Sequence, residues 1–217
     1  MKNATRPLAA MLIVAAAIVP AVGLAWTDDT GAAGMKTGIL DAHEMHMHHA
    51  RADMTTRKIA QYELPRVTLI RDDGKQIFLP EELNDGKPVV MNFVFTSCTT
   101  TCPVSSRIFS LFQSELGSER DKVHMVSISI DPEQDTPSTL KKYAGEYGAG
   151  PGWHFYTGTN EASIATQQAF GVYSGDKMDQ PPVTLLRAAP GKPWLRIDGL
   201  ASAGELLHEY RNLVDPR

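Results

Sequence analysis

Pro88-Val89-Val90-Met91-Asn92-Phe93-Val94-Phe95-Thr96-Ser97-Cys98-Thr99-Thr100-Thr101-Cys102-Pro103 is the stretch from which the rest of the chain is read. Its first eight residues form an almost unbroken apolar run of strand length, the pattern of a central strand covered on both faces. Residues 103–116 follow with Ile108, Leu111, Phe112 and Leu116 at helical spacing, and Gly117 supplies a stop. The two cysteines therefore fall where a buried strand hands over to a helix. A helix start presents unpaired N–H groups and partial positive charge, which stabilise a thiolate. Cys98 is the expected attacking thiolate and Cys102, one turn on, the resolving partner. With helical geometry between them the sulfurs share a face, so both can meet one disulfide or one metal ion while staying accessible to another molecule. Pro103 is tolerated because first-turn donors lack intrahelical acceptors.

Working outward, residues 67–70 and 76–79 flank Asp72-Asp73-Gly74 and read as an N-terminal hairpin. Residues 123–130 read as another strand. The loop Asp131-Pro132-Glu133-Gln134-Asp135-Thr136-Pro137 leads to a helix over 138–147, with Thr136 as N-cap and Pro137 in the first turn. Residues 153–156 form a short strand and 160–170 a helix. Residues 183–187 and 194–197 form a second hairpin around Pro190-Gly191-Lys192. Residues 202–214 close the chain as an amphipathic helix with Leu206, Leu207, Tyr210 and Leu213 facing inward. Strands alternating with helices argue for an α/β domain with a mixed central sheet flanked by helices on both faces.

Length and composition set the outer bounds. The 217 residues suit one medium domain plus extra segments, and 42% hydrophobic with 21% charged residues fits a folded core. A formal charge of -4 without any run of Lys or Arg leaves nucleic acid no electrostatic footprint. Two cysteines exclude a disulfide-rich mini-protein and a four-cysteine zinc site. Closing a loop of about five residues gives roughly 2 kcal/mol by chain entropy, less than the roughly 3 expected for fifteen, so a purely structural staple would gain little.

Lys2 and Arg6 precede an uncharged, Ala- and Val-rich run through Thr27, the pattern of a signal peptide or membrane anchor over 1–27. Gly23-Leu24-Ala25 offers a small-residue cleavage site, while the length also suits an uncleaved anchor of about 20 residues. Residues 28–60, rich in Gly, Ala, Thr and charge, read as a flexible linker, with the folded domain over 61–217. Inside the linker His43, His46, His48 and His49 alternate with Met45 and Met47, and imidazole and thioether are copper ligands. A solvated polar tail that binds metal unselectively is the competing reading.

Residues 93–103 taken with Val126-Ser127-Ile128-Ser129-Ile130-Asp131-Pro132-Glu133-Gln134-Asp135-Thr136-Pro137 resemble the Sco/SenC family, over roughly residues 61–214. The resemblance implies a thioredoxin-like fold tethered to the bacterial inner membrane and facing the periplasm, or soluble in the periplasm if the leader is cleaved. It implies a role in assembling the copper centre of cytochrome c oxidase, with the oxidase copper-site subunit as partner. It also implies copper, Cu(I) or Cu(II), bound through Cys98, Cys102 and a distant histidine, together with thiol-disulfide exchange on that subunit. Asp131 matches a position that the family keeps near the site.

The third ligand departs from the pattern. Where the family carries an Asp-His pair, this chain has Asp179-Gln180, and an amide is a poor ligand for Cu(I). His124, His154 and His208 read as structural or surface residues from their positions. Met178 or the 43–49 cluster could replace the missing ligand. Pro182-Val183-Thr184 is similar to the cis-proline segment of thioredoxin-like reductases, so a cis bond at Pro182, or else at Pro181, beside the cysteines is a further expectation, against an ordinary trans kink. Three functions stay open: an assembly factor acting by thiol-disulfide exchange, a copper carrier, and a general periplasmic dithiol reductase whose client is another cysteine protein.

Overall fold

The structure is a computed structural model and describes residues 55–216. The leader, most of the linker and the histidines at 43, 46, 48 and 49 lie outside the described residues. Eight strands form one mixed sheet: β1 (Thr56–Ala60), β2 (Thr68–Arg71), β3 (Gln76–Phe78), β4 (Val89–Val94), β5 (His124–Ser129), β6 (Trp153–Thr157), β7 (Val183–Arg187) and β8 (Trp194–Asp198), in the spatial order β1-β8-β7-β4-β5-β6-β2-β3. The helices are α1 (Leu79–Leu83), α2 (Thr101–Leu116), α3 (Pro137–Glu146), α4 (Asn160–Ala169) and α5 (Ala203–Val214).

β4, β5 and β6 run parallel, as strands joined by crossover helices must, and the other neighbours pair antiparallel. Every residue of β4 and β5 is buried, which explains the apolar run of β4, broken only by Asn92, while β5 also buries the polar His124, Ser127 and Ser129. Phe109, Phe112 and Leu116 of α2, Leu140 and Tyr143 of α3, and Leu206 and Tyr210 of α5 pack on one face of the sheet. Leu79 and Leu83 of α1, Ala162 of α4, and Phe170 cover the other. The architecture is the expected α/β sheet between helices, with both hairpins in place.

Asn92 is the one polar side chain in β4, and it is used. Its amide donates to Ser105 Oγ (2.9 Å) on α2 and accepts from Ser127 Oγ (2.7 Å) on β5, which in turn accepts from Trp153 Nε1 (3.0 Å) on β6. Ser106 and Tyr143 hydroxyls, 2.9 Å apart, tie α2 to α3. A satisfied buried network of this kind fixes one orientation of α2, and so the position of its N-terminus.

Two element boundaries differ from expectation. Thr56–Ala60, assigned to the linker by composition, is an edge strand in register with β8 from Thr56↔Asp198 to Ala60↔Trp194. Four of its five side chains are exposed, so no apolar alternation announces it, and backbone pairing holds it. α2 begins at Thr101 rather than Pro103, and Gly117 at φ 55° ends it as expected. Thr136 and Ser202 cap α3 and α5 through their side chains. Among the described residues no helix is long and apolar enough to cross a membrane.

Candidate functional site

β4 lies between parallel β5 and antiparallel β7, so the chain's winding reverses at the C-terminal end of β4. Crevices of open α/β sheets form at such points, and the cysteine loop occupies this one. Cys98 is not part of the helix. Its N–H donates to Phe95 O (3.2 Å) in a turn after β4, and two further residues intervene before α2. Thr100, at the N-cap, has φ -115° and ψ -87° and gives no side-chain cap. The sulfur of Cys98 takes that role, accepting the backbone N–H of Cys102 at 3.4 Å, with Thr100 Oγ1 at 3.7 Å and Thr101 Oγ1 at 3.9 Å. The expected juxtaposition is therefore present, but a capping turn produces it rather than an i, i+4 helical pair.

The two thiols are reduced and chemically unequal. Burial raises the Cys98 pKa, but donation from the backbone N–H groups of Cys102 and Thr100, and then from side chains, outweighs it and brings the thiol down to about 7. Burial pushes Cys102 up to about 12, and the neighbouring Cys98 adds to the rise. The sulfurs are more enclosed than the sequence suggested: each residue is 6% exposed and belongs to the cluster containing Phe95 and Tyr143.

A carboxylate not singled out from sequence holds this loop from below. Asp135, fully buried, accepts from Thr96 N at 3.2 Å, Thr96 Oγ1 at 2.5 Å and Ser129 Oγ at 2.6 Å. Thr96 sits two residues before Cys98, so Asp135 ties the cysteine turn to the end of β5. Nothing local in the sequence marks it: Thr96 and Asp135 are 39 positions apart and only the fold brings them together. Asp131 is buried and accepts a 2.6 Å bond from Lys177 Nζ. That bond also raises the lysine pKa, and the ammonium lies 5.6 Å from the centroid of the Phe95 ring. Lys177 thus joins the 173–182 segment to both the Asp131 loop and the cysteine turn.

The remaining candidates are placed as follows. Met178 projects from the 3-10 turn Lys177–Asp179 and is 61% exposed. Gln180 follows that turn, with Oε1 buried and unpartnered. No cis peptide bond occurs among the described residues, so the cis-proline expectation at Pro182, or at Pro181, is corrected: Pro182 enters β7 in trans and its carbonyl accepts from Gly199 N at 2.9 Å. Pairing of Asn92 with Thr184 puts this proline at the same end of the sheet as the cysteine turn. His208 hydrogen-bonds Asn212 on the surface of α5, and His124 and His154 lie at the opposite end of the sheet. No group of three His, Cys, Asp or Glu side chains is arranged around a metal position among the described residues.

A mixed α/β sheet covered by helices on both faces, with an unequal dithiol at the end of its central strand, defines a thioredoxin-like dithiol protein. The SCO1/SenC family matches residues 58–187, more than half of the chain, and the chain belongs to that family. It is 36% identical over 104 residues to the SCO1 protein homolog of Bacillus subtilis, covering 48% of this chain and 53% of that protein. Identity to the mitochondrial protein SCO2 of Saccharomyces cerevisiae is 30% over 103 residues, covering 47% and 34%. The chain thus spans about half the length of the first of these curated relatives and a third of the second. Among solved structures, a SCO1/SenC family lipoprotein from Bacillus anthracis superposes with a TM-score of 0.63 at 23% identity, over 73% of this chain and 98% of that one. Arabidopsis thaliana ScoI with copper bound gives a TM-score of 0.58 at 24% identity, over 69% and 96%. These superpositions show the thioredoxin-like fold.

Proposed function

We propose that this protein assists assembly of the copper centre of cytochrome c oxidase, on the outer face of the membrane to which its N-terminal segment directs it, by thiol-disulfide exchange on the copper-site subunit. Family membership supports the setting, and a solved relative, BsSco, is described as a member of the Sco family of cytochrome c oxidase assembly proteins. The observation that carries the reaction type is the inequality of the thiols, about 7 against about 12. At neutral pH Cys98 is substantially thiolate and Cys102 is not.

The Cys98 thiolate attacks one sulfur of a client disulfide, forming a mixed disulfide and releasing the first client thiolate. Cys98 is then uncharged, which removes the part of the Cys102 rise that its neighbour causes. Cys102 loses its proton to solvent and attacks the Cys98 sulfur, forming the Cys98–Cys102 disulfide and releasing the second client thiolate. Two electrons pass to the client and this protein is oxidised. The Cys102 N–H at 3.4 Å from the Cys98 sulfur supports the approach needed for the second step.

Copper is the cargo in the second reading. Two thiolates suit Cu(I), which accepts two or three soft ligands. The described residues supply the sulfurs of Cys98 and Cys102, with Met178 and Gln180 on the adjoining segment and no histidine there. The copper-bound Arabidopsis relative favours keeping this reading. One experiment separates the two. A Cys102→Ser variant of the full chain, mixed with the oxidised copper-site subunit, traps a mixed disulfide that Cys98→Ser does not; Cu(I) titration of the wild type is run beside it. Absence of the trap together with submicromolar, Cys98-dependent Cu(I) binding replaces exchange by carriage. Absence of both leaves only a reductase with a different client.

A further inference from the structure

β1 decides where the N-terminal segment joins the domain. Thr56 pairs with Asp198 of β8, Asp198 with Val183 of β7, and the next β7 residue, Thr184, with Asn92 of β4. The first residue of β1 is therefore level with Phe93, at the end of the sheet where β4 gives way to the cysteine turn. Three strand spacings separate the two in the order β1-β8-β7-β4, about 14 Å at about 4.8 Å each. The point of entry is held on the face that carries α2: Arg57 bonds Glu209 at 2.7 Å and Glu205 at 3.2 Å on α5, and α5 packs with α2 in one core. His49 precedes Thr56 by seven residues, and seven residues of extended chain span about 23 to 25 Å. That length reaches the cysteine turn, and the earlier members of the cluster have longer tethers.

We propose that the 43–49 cluster supplies the ligand that completes a Cu(I) site on Cys98 and Cys102, an imidazole first and a thioether second, so that one ion joins the N-terminal segment to the dithiol. This rests on the reading of copper as cargo. Cu(I) accepts two or three soft ligands, so two thiolates leave a third position open. Among the described residues no three His, Cys, Asp or Glu side chains surround a metal position. The described histidines are engaged elsewhere: His124 and His154 at the opposite end of the sheet, and His208 Nε2 at 3.0 Å from Asn212 Nδ2. All four remaining histidines of the chain are His43, His46, His48 and His49, interleaved with Met45 and Met47. A tether to β1 makes their encounter with the dithiol intramolecular, at an effective concentration on the order of millimolar, an advantage that a donor from solution lacks. Met178, 61% exposed on the 3-10 turn, is the competing donor within the domain.

The test is addition of one equivalent of Cu(I) to the reduced full chain labelled with 15N-histidine. Cu(I) is diamagnetic, so the imidazole nitrogens stay visible, and single His→Ala substitutions assign them. At least one cluster histidine should shift in the wild type and stay unmoved in Cys98→Ser and in Cys102→Ser. Alongside, the variant combining His43→Ala, His46→Ala, His48→Ala and His49→Ala with Met45→Leu and Met47→Leu should bind Cu(I) about 10-fold or more weakly in competition with a chromogenic chelator, at an unchanged unfolding midpoint. Cysteine-dependent binding with every cluster signal unmoved, and equal affinity in the combined variant, overturns the proposal while leaving copper as cargo. Shifts that persist in both cysteine variants identify a tail that binds metal by itself and overturn it equally. Absence of Cu(I) binding in the wild type removes the cargo reading and the proposal together.

Discussion

The two segments that meet around Phe95 are built differently. The cysteine turn, residues 95–102, is anchored from beneath by a fully buried carboxylate that accepts from Thr96 N and Thr96 Oγ1, and it ends on a helix whose orientation the Asn92 network sets. The 173–182 segment opposite is exposed over most of its length and reaches the turn through a single lysine, bonded to Asp131. The sulfur proposed to attack thus sits on the rigid side, and the candidate third ligands Met178 and Gln180 sit on the loosely held side. Precise placement matters most for the group that attacks, because small displacements of a nucleophile cost large factors in rate.

The sharpest way to break this contrast is Asp135→Ala. It leaves Thr96 N–H and the Thr96 and Ser129 hydroxyls without their acceptor, and urea unfolding should register a loss of about 3 kcal/mol. A loss below about 1 kcal/mol would mean that the turn is not held from beneath.

Next in size is the inequality of the thiols. Alkylation with iodoacetamide should rise through a midpoint near pH 7 at Cys98, and at pH 7 Cys98 should react about 100-fold or more faster than Cys102. Equal rates would remove the basis for distinct roles. The same shifts fix a sign for stability. The Cys98 pKa is lowered from 9.0 to about 7, so its contribution is full above pH 9 and is lost as pH falls through 7. The Cys102 pKa is raised from 9.0 to about 12, so stability falls as pH rises above 9 and the unfolded thiol ionises. Stability should therefore climb between pH 7 and 9, by on the order of 2 kcal/mol from Cys98, and Cys98→Ser should abolish that rising limb.

Smaller effects are expected on the loosely held side. Gln180→His restores an imidazole ligand and should tighten Cu(I) binding by about 10-fold, or about 1.4 kcal/mol, without moving the unfolding midpoint. Lys177→Ala removes a partly exposed ion pair, for which a cost of about 1 kcal/mol or less is expected. Its clearer signature should be faster amide exchange confined to residues 173–182. Exchange that quickens equally in the cysteine turn would show that the two segments move together.

Much of the architecture was legible because periodicity reports burial. β4 is covered on both faces and reads as an apolar run; α2 and α5 bury one stripe and read at helical spacing. β1 was not legible, since four of its five residues face solvent and its pairing with β8 is a backbone matter. The five-residue α1 is too short to display a period. At the site, the cysteine pair and Asp131 could be found from residue type and motif. Asp135 and Lys177 could not, because their importance lies in contacts with residues 39 and 46 positions away.

The sequence by itself determined the α/β class, the family and the presence of two thiols at a strand-to-helix junction, all properties of local pattern. The helix start already pointed to Cys98 as the more acidic thiol; only the tertiary structure decided how far apart the two thiol pKa values lie. A thiol pKa depends on how many N–H donors reach it and how much water it loses, and those quantities exist only once the turn has closed over the helix start and the core has packed around Cys102.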